Sequence, residues 1–68
     1  MQGVVGYLNA ERGFGFIRLH PDAPDFFFEA SQVIGEPVKW GDTVEFWLED
    51  DPRGRGLIAV EVKRLSAS

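Results

Sequence analysis

The sequence predicts an all-β protein: a small, closed or nearly closed barrel of five short antiparallel strands. Three observations lead there. Five runs rich in Val, Ile, Leu, Phe and Tyr alternate in the two-residue period of a strand, and clusters of Gly, Pro, Asp and Asn separate them. No stretch is long enough and regular enough for more than one helical turn. The chain has 68 residues, enough for a single core. Residues 1–65 are assigned to this one domain, and residues 66–68, Ser66-Ala67-Ser68, to a disordered tail.

Gln2 to Asn9 forms the first strand and ends at the turn Asn9-Ala10-Glu11-Arg12-Gly13. Gly13 to Leu19 is the second, and His20-Pro21-Asp22-Ala23-Pro24, with two prolines, is a loop. In the third, Asp25 to Glu29, side-chain alternation puts Phe26 and Phe28 on the core face and Phe27 and Glu29 on the other. Ala30 to Val33 closes one helical turn, which Gly35-Glu36-Pro37 keeps from lengthening. The turn Gly41-Asp42 leads into Thr43 to Glu49, where Val44, Phe46 and Leu48 point inward and Glu45, Trp47 and Glu49 outward. After the charged loop Asp50 to Gly56, Leu57 to Leu65 forms the last strand, with Ile58, Val60 and Val62 expected on one face.

Composition narrows the functions. The chain has no cysteine and one histidine, His20, so neither a disulfide nor a metal site is expected, and a reducing cytoplasm suits it. Apolar runs such as Phe26-Phe27-Phe28 are too short to cross a bilayer, and no membrane partner is expected. No nucleophile has a histidine to activate it and no glycine-rich loop precedes a helix, so neither enzyme activity nor a cofactor is expected. The net charge of −4 argues against a ligand gripped chiefly through its phosphates. Base stacking, at roughly 1–3 kcal/mol per base, is largely indifferent to that charge.

The stretch Arg12-Gly13-Phe14-Gly15-Phe16-Ile17 carries the functional signal. Phe14 and Phe16 share one face, and Gly15, on the opposite side, lets another backbone approach from behind. Two rings displayed this way make a platform for nucleobases.

Asn9-Ala10-Glu11-Arg12-Gly13-Phe14-Gly15-Phe16-Ile17, followed by Asp25-Phe26-Phe27-Phe28-Glu29-Ala30-Ser31, resembles the cold-shock domain, a five-stranded OB-fold barrel that binds single-stranded RNA and DNA. The resemblance extends over nearly the whole chain, including the Gly41 turn and the Arg55-Gly56 step. The first motif also resembles the aromatic strand of RNA-recognition motifs, but those domains need two packing helices and carry their other aromatic strand earlier in the sequence. The cold-shock resemblance implies base stacking on Tyr7, Phe14, Phe16 and Phe27, and a phosphate-side role for Arg12. Arg18, Lys39, Arg53 and Arg55 are read from the sequence as further cations able to reach the backbone. Trp40 lies in the connection where the family often carries one more stacking ring.

Departures from the family pattern weaken the expected face. Gly6 stands for a basic residue, Tyr7 for a tryptophan, Glu29 for a histidine and Ala30 for a phenylalanine. A carboxylate 4 Å from a phosphate is repelled by roughly 1 kcal/mol even in water. Trp47 has no counterpart in the pattern and points outward beside two glutamates, a candidate protein-partner surface. Two functions are therefore carried forward: a cytoplasmic, RNA-chaperone-like cold-shock protein that binds single strands by stacking, and a barrel kept as a protein-interaction module with weakened or lost nucleic-acid binding.

Overall fold

In the computed structural model, β1 (Gln2–Asn9), β2 (Phe14–Arg18) and β3 (Phe26–Glu29) form an antiparallel meander. A 3-10 turn (Ala30–Gln32) and a two-residue strand β4 (Val33–Ile34) follow, then β5 (Thr43–Asp50) and β6 (Leu57–Ser66). The structure describes every residue except 22, 23, 55, 67 and 68, and the side chain of Ser66. β5 pairs antiparallel with both β1 and β6, and a parallel contact between Phe27 of β3 and Ile58 of β6 closes β3-β2-β1-β5-β6 into a ring of five strands. Closure removes most of the open edges at which a sheet would pair with other chains.

The barrel is filled by Val5, Ile17, Phe28, Val38, Val44, Phe46, Ala59 and Val62, with Leu8, Leu19, Phe26, Val33 and Leu48 packed around them. The expected inward faces of β3 and β5 are therefore found, with Trp47, Glu45 and Glu49 outside. Gly15 shows why the second strand needs a glycine. A Cβ there would sit 2.5 Å from the Tyr7 carbonyl oxygen and 2.8 Å from Cε1 of Phe28.

The expected inward face of the last strand is corrected. Glu61 adopts a φ of 50°, and β6 carries one extra residue opposite β5 between the pairs Glu45–Lys63 and Trp47–Val60. That bulge reverses the alternation: Ala59 and Val62 enter the core cluster, while the half-buried Ile58 and the buried Val60 face away from it, on the side of Phe27 and Trp47. Ser66, assigned to the tail, lies at the end of β6 opposite Thr43 because the ladder continues to that point. Ala67 and Ser68 lie outside the described residues.

Candidate nucleic-acid interface

A second bulge builds the aromatic face. Val5 pairs with Ile17, but Tyr7 pairs with Phe16, so Gly6 is an extra residue in β1. In a regular strand Tyr7 would share the inward face of Val5; the bulge turns it to the outer face, beside the rings of β2. The residues that follow, Leu8 opposite Gly15 and Asn9 opposite Phe14, resume regular alternation.

Five rings result. Tyr7 lies 6.0 Å from both Phe14 and Phe16, measured between centroids, and Phe14 meets Phe16 edge-on at 6.0 Å. Phe27, opposite Phe16 on β3, stacks on Phe14 at 5.7 Å and 23° and meets Phe16 at 5.9 Å. Trp40 adds the fifth ring, 5.6 Å from Tyr7. These separations are those of favourable tilted and edge-to-face aromatic pairs. Phe14, Phe16 and Phe27 are half-buried against one another and lie outside the core, which takes Phe26, Phe28 and Phe46 instead. Tyr7 is 37% exposed and Trp40 59%.

Trp40 is held in place by backbone chemistry that its sequence neighbourhood does not advertise. Its indole Nε1–H donates to the Leu8 carbonyl at 3.0 Å. The buried Asp42 accepts the Lys39 N–H on its carboxylate at 2.8 Å, closing the Lys39–Asp42 turn. Val5 N–H donates to the Asp42 carbonyl, and Gly41 N–H, at a φ of 84°, donates to the Val5 carbonyl. The turn bearing Trp40 is thus sewn to the strand bearing Tyr7.

At the other end of the face, Asn9 caps the β1–β2 turn: its carbonyl accepts from Gly13 N–H at 2.8 Å and its side-chain oxygen from Arg12 N–H at 3.0 Å. This leaves Arg12 exposed beside the platform. Lys39 is likewise exposed, next to Trp40. Arg18 pairs with Asp25 at 3.1 Å, which raises the guanidinium pKa above its ordinary value, chiefly through that side-chain hydrogen bond. Arg53 pairs with Glu29 at 3.2 Å. Sequence reading treats Glu29 as an uncompensated carboxylate; the β5–β6 loop instead brings a cation to it. Arg55, assigned to the same face, lies outside the described residues.

Past Phe27 the outer surface dips into a cleft of about 250 Å³, with Phe27, Ile58 and Val60 among its apolar lining and Glu29, Glu49 and Arg53 among its polar lining. Sequence reading missed it, because the register shift at Glu61 is what turns Ile58 and Val60 outward. Among the described residues no helix is long and apolar enough to cross a membrane, and no group of three or more His, Cys, Asp or Glu side chains is placed to hold a metal.

Comparison with known proteins agrees with this architecture. A family model described as "'Cold-shock' DNA-binding domain" matches residues 1–65. The chain is 38% identical over 66 residues to the "Major cold shock protein" of Micrococcus luteus, covering 93% of this chain and 96% of that one. It is 46% identical over 57 residues to "Cold shock-like protein CspC" of Bacillus cereus, covering 79% and 86%. Among solved structures, "drosophila Unr CSD456" superposes with a TM-score of 0.77 at 28% identity. That match covers 98% of this chain but 27% of the other, longer one. The chain therefore belongs to the cold-shock domain family, whose OB-fold barrels are nucleic-acid-binding proteins and not enzymes.

Proposed function

We propose that this protein binds single-stranded RNA or DNA by stacking unpaired bases on Tyr7, Phe14, Phe16, Phe27 and Trp40, with Arg12 and Arg55 accompanying the phosphates. The observation that carries this reading is the continuous surface of five rings, each 5.6–6.0 Å from a neighbour, outside a core that has its own phenylalanines. A duplex hides its base faces, so a stacking surface favours the unpaired form. Binding without ATP would shift hairpins toward their open state, an RNA-chaperone activity suited to the cytoplasm. Three or four stacked bases at roughly 1–3 kcal/mol each, less the cost of ordering the strand, give an affinity of about micromolar or somewhat tighter. The ion pair of Glu29 with Arg53 softens the repulsion that the carboxylate alone would exert on a phosphate.

The test is intrinsic fluorescence titrated with oligothymidine at low salt. Saturable quenching is expected, with Phe14→Ala and Phe16→Ala each weakening binding about tenfold. A second reading, a protein-interaction surface, draws on Trp47, 61% exposed opposite Val60. Absence of any response to oligothymidine, in a protein that remains folded, would favour that reading.

A further inference from the structure

Trp47 is the most exposed large apolar side chain among the described residues, and it stands on β5, apart from the rings of the platform. Its indole makes neither a ring contact nor a hydrogen bond among the described residues, whereas Trp40 donates its indole N–H to the Leu8 carbonyl. Alternation along β5 puts Glu45 and Glu49 on the same outer face, one on each side of Trp47. Neither carboxylate has an ion-pair partner among the described residues. Across the ladder, Lys63 stands opposite Glu45 without reaching ion-pair distance, Val60 stands opposite Trp47, and the exposed Glu61 follows Val60 in β6.

An exposed indole between two carboxylates repels a phosphate and attracts a cation. Among cations, a guanidinium uses every part of this surface. Its plane stacks on an aromatic face while its edge N–H groups donate to carboxylates, which a compact ammonium cannot do at once. Same-face neighbours on a strand lie about 7 Å apart, so an arginine lying on Trp47 has a carboxylate within reach at either edge. We propose that the outer face of β5 docks an arginine-rich segment of a partner protein, with one arginine stacked on Trp47 between Glu45 and Glu49. A second copy of this chain fits less well, because it carries the same net charge of −4. This gives a partner chemistry to the protein-contact reading of Trp47, on which it rests, and it is independent of base stacking on the platform.

Isotope-labelled protein gives one indole N–H signal each for Trp40 and Trp47, the only tryptophans of the chain. A short peptide alternating arginine with serine, titrated at low salt, is expected to shift the Trp47 signal saturably and to leave that of Trp40 in place. The same peptide with citrulline for arginine keeps the planar group, loses its charge, and should shift neither. By calorimetry, Trp47→Ala should weaken binding of the arginine peptide about tenfold. Glu45→Gln combined with Glu49→Gln should weaken it about fivefold. Trp47→Ala leaves the net charge untouched, so an unchanged affinity in that variant would reveal only general attraction between opposite charges and overturn the proposal. Absence of any shift at Trp47 would overturn it as well. An equal response to the citrulline peptide would overturn it while leaving Trp47 as a protein contact of another chemistry, and a Trp47 signal that moves with protein concentration but not with peptide would place a second copy there instead. Base stacking is untouched by each of these results, because the oligothymidine titration reads it separately.

Discussion

At Gly15 one hydrogen in place of a side chain lets three layers meet: the Tyr7 backbone, the Phe28 ring and the outward pair Phe14 and Phe16. A methyl group there would require a shift of backbone atoms as well as of a ring at the centre of the core. Gly15→Ala should therefore lower stability by about 2 kcal/mol, read as a fall in the urea midpoint at unchanged slope. Phe14→Ala removes a half-buried outer ring and should cost less stability than affinity. Asp42 is the other residue whose effect exceeds its size, because its carboxylate and both its backbone groups close the turn and anchor it to β1. Asp42→Ala leaves the Lys39 N–H without its acceptor and should destabilise the protein by about 2 kcal/mol. It should also loosen Trp40, seen as a red-shifted tryptophan emission in the folded protein; an unshifted spectrum would contradict the anchoring role. The paired Phe14 and Phe16, and the reason for the glycine between them, were legible in sequence because both follow from strict alternation. The partner of Glu29 was not: Arg53 is 24 residues away, and only barrel closure brings it within 3.2 Å.

Of the three register shifts in the ladders, those at Gly6 and Glu61 decide what the outer face displays. The expected limits of β1, β2, β3, β5 and β6 agree with the structure to within about two residues, since turn residues mark them chemically. Facing is harder to read, because one extra residue exchanges the two sides of everything beyond it. Gly6 does this in β1, bringing Tyr7 to the outer face, and Glu61 does it in β6, sending Val62 inward and leaving Ile58 and Val60 facing away from the core cluster. Neither shift leaves a signal in the pattern of apolar residues. β4 was invisible for a different reason: two residues paired in parallel with Val62 and Lys63 are too few to show any period. Deleting Gly6 should leave a regular ladder with Tyr7 still opposite Phe16, but remove the local twist with which β1 passes from its pairing with β2 to its pairing with β5. A variant so altered should unfold at markedly lower temperature; one that kept both full stability and full affinity for oligothymidine would show that the bulge does not set the platform.

Over the whole molecule, charge and shape act in different directions. The chain carries a net charge of −4, and in the structure Arg18, Arg53 and Arg64 are each paired with a carboxylate, Asp25, Glu29 and Glu36. Few cations remain to displace counterions from a nucleic acid. The logarithm of affinity should therefore fall with the logarithm of salt at a slope no steeper than about −2, as for about three phosphate contacts on a single strand. A slope of about −4 or beyond would mean that phosphates, not bases, supply most of the affinity. Barrel class, strand limits and the four rings of β1 to β3 follow from spacing and family resemblance together. The position of Trp40 depends on a bond to the Leu8 carbonyl, 32 residues away in sequence, and the cleft beyond Phe27 depends on the bulge at Glu61. Long-range contacts of this kind are set by closure of the ring and leave no local trace.

Unpaired bases lying against this one outer face would be seen in the aromatic proton spectrum of the protein titrated with oligothymidine. The ring protons of Tyr7, Phe14, Phe16, Phe27 and Trp40 should shift upfield together and saturate at a single affinity, while those of Phe28, Phe46 and Trp47 stay near their free positions. Perturbations confined to Trp47, or an unchanged spectrum at millimolar oligonucleotide, would contradict it.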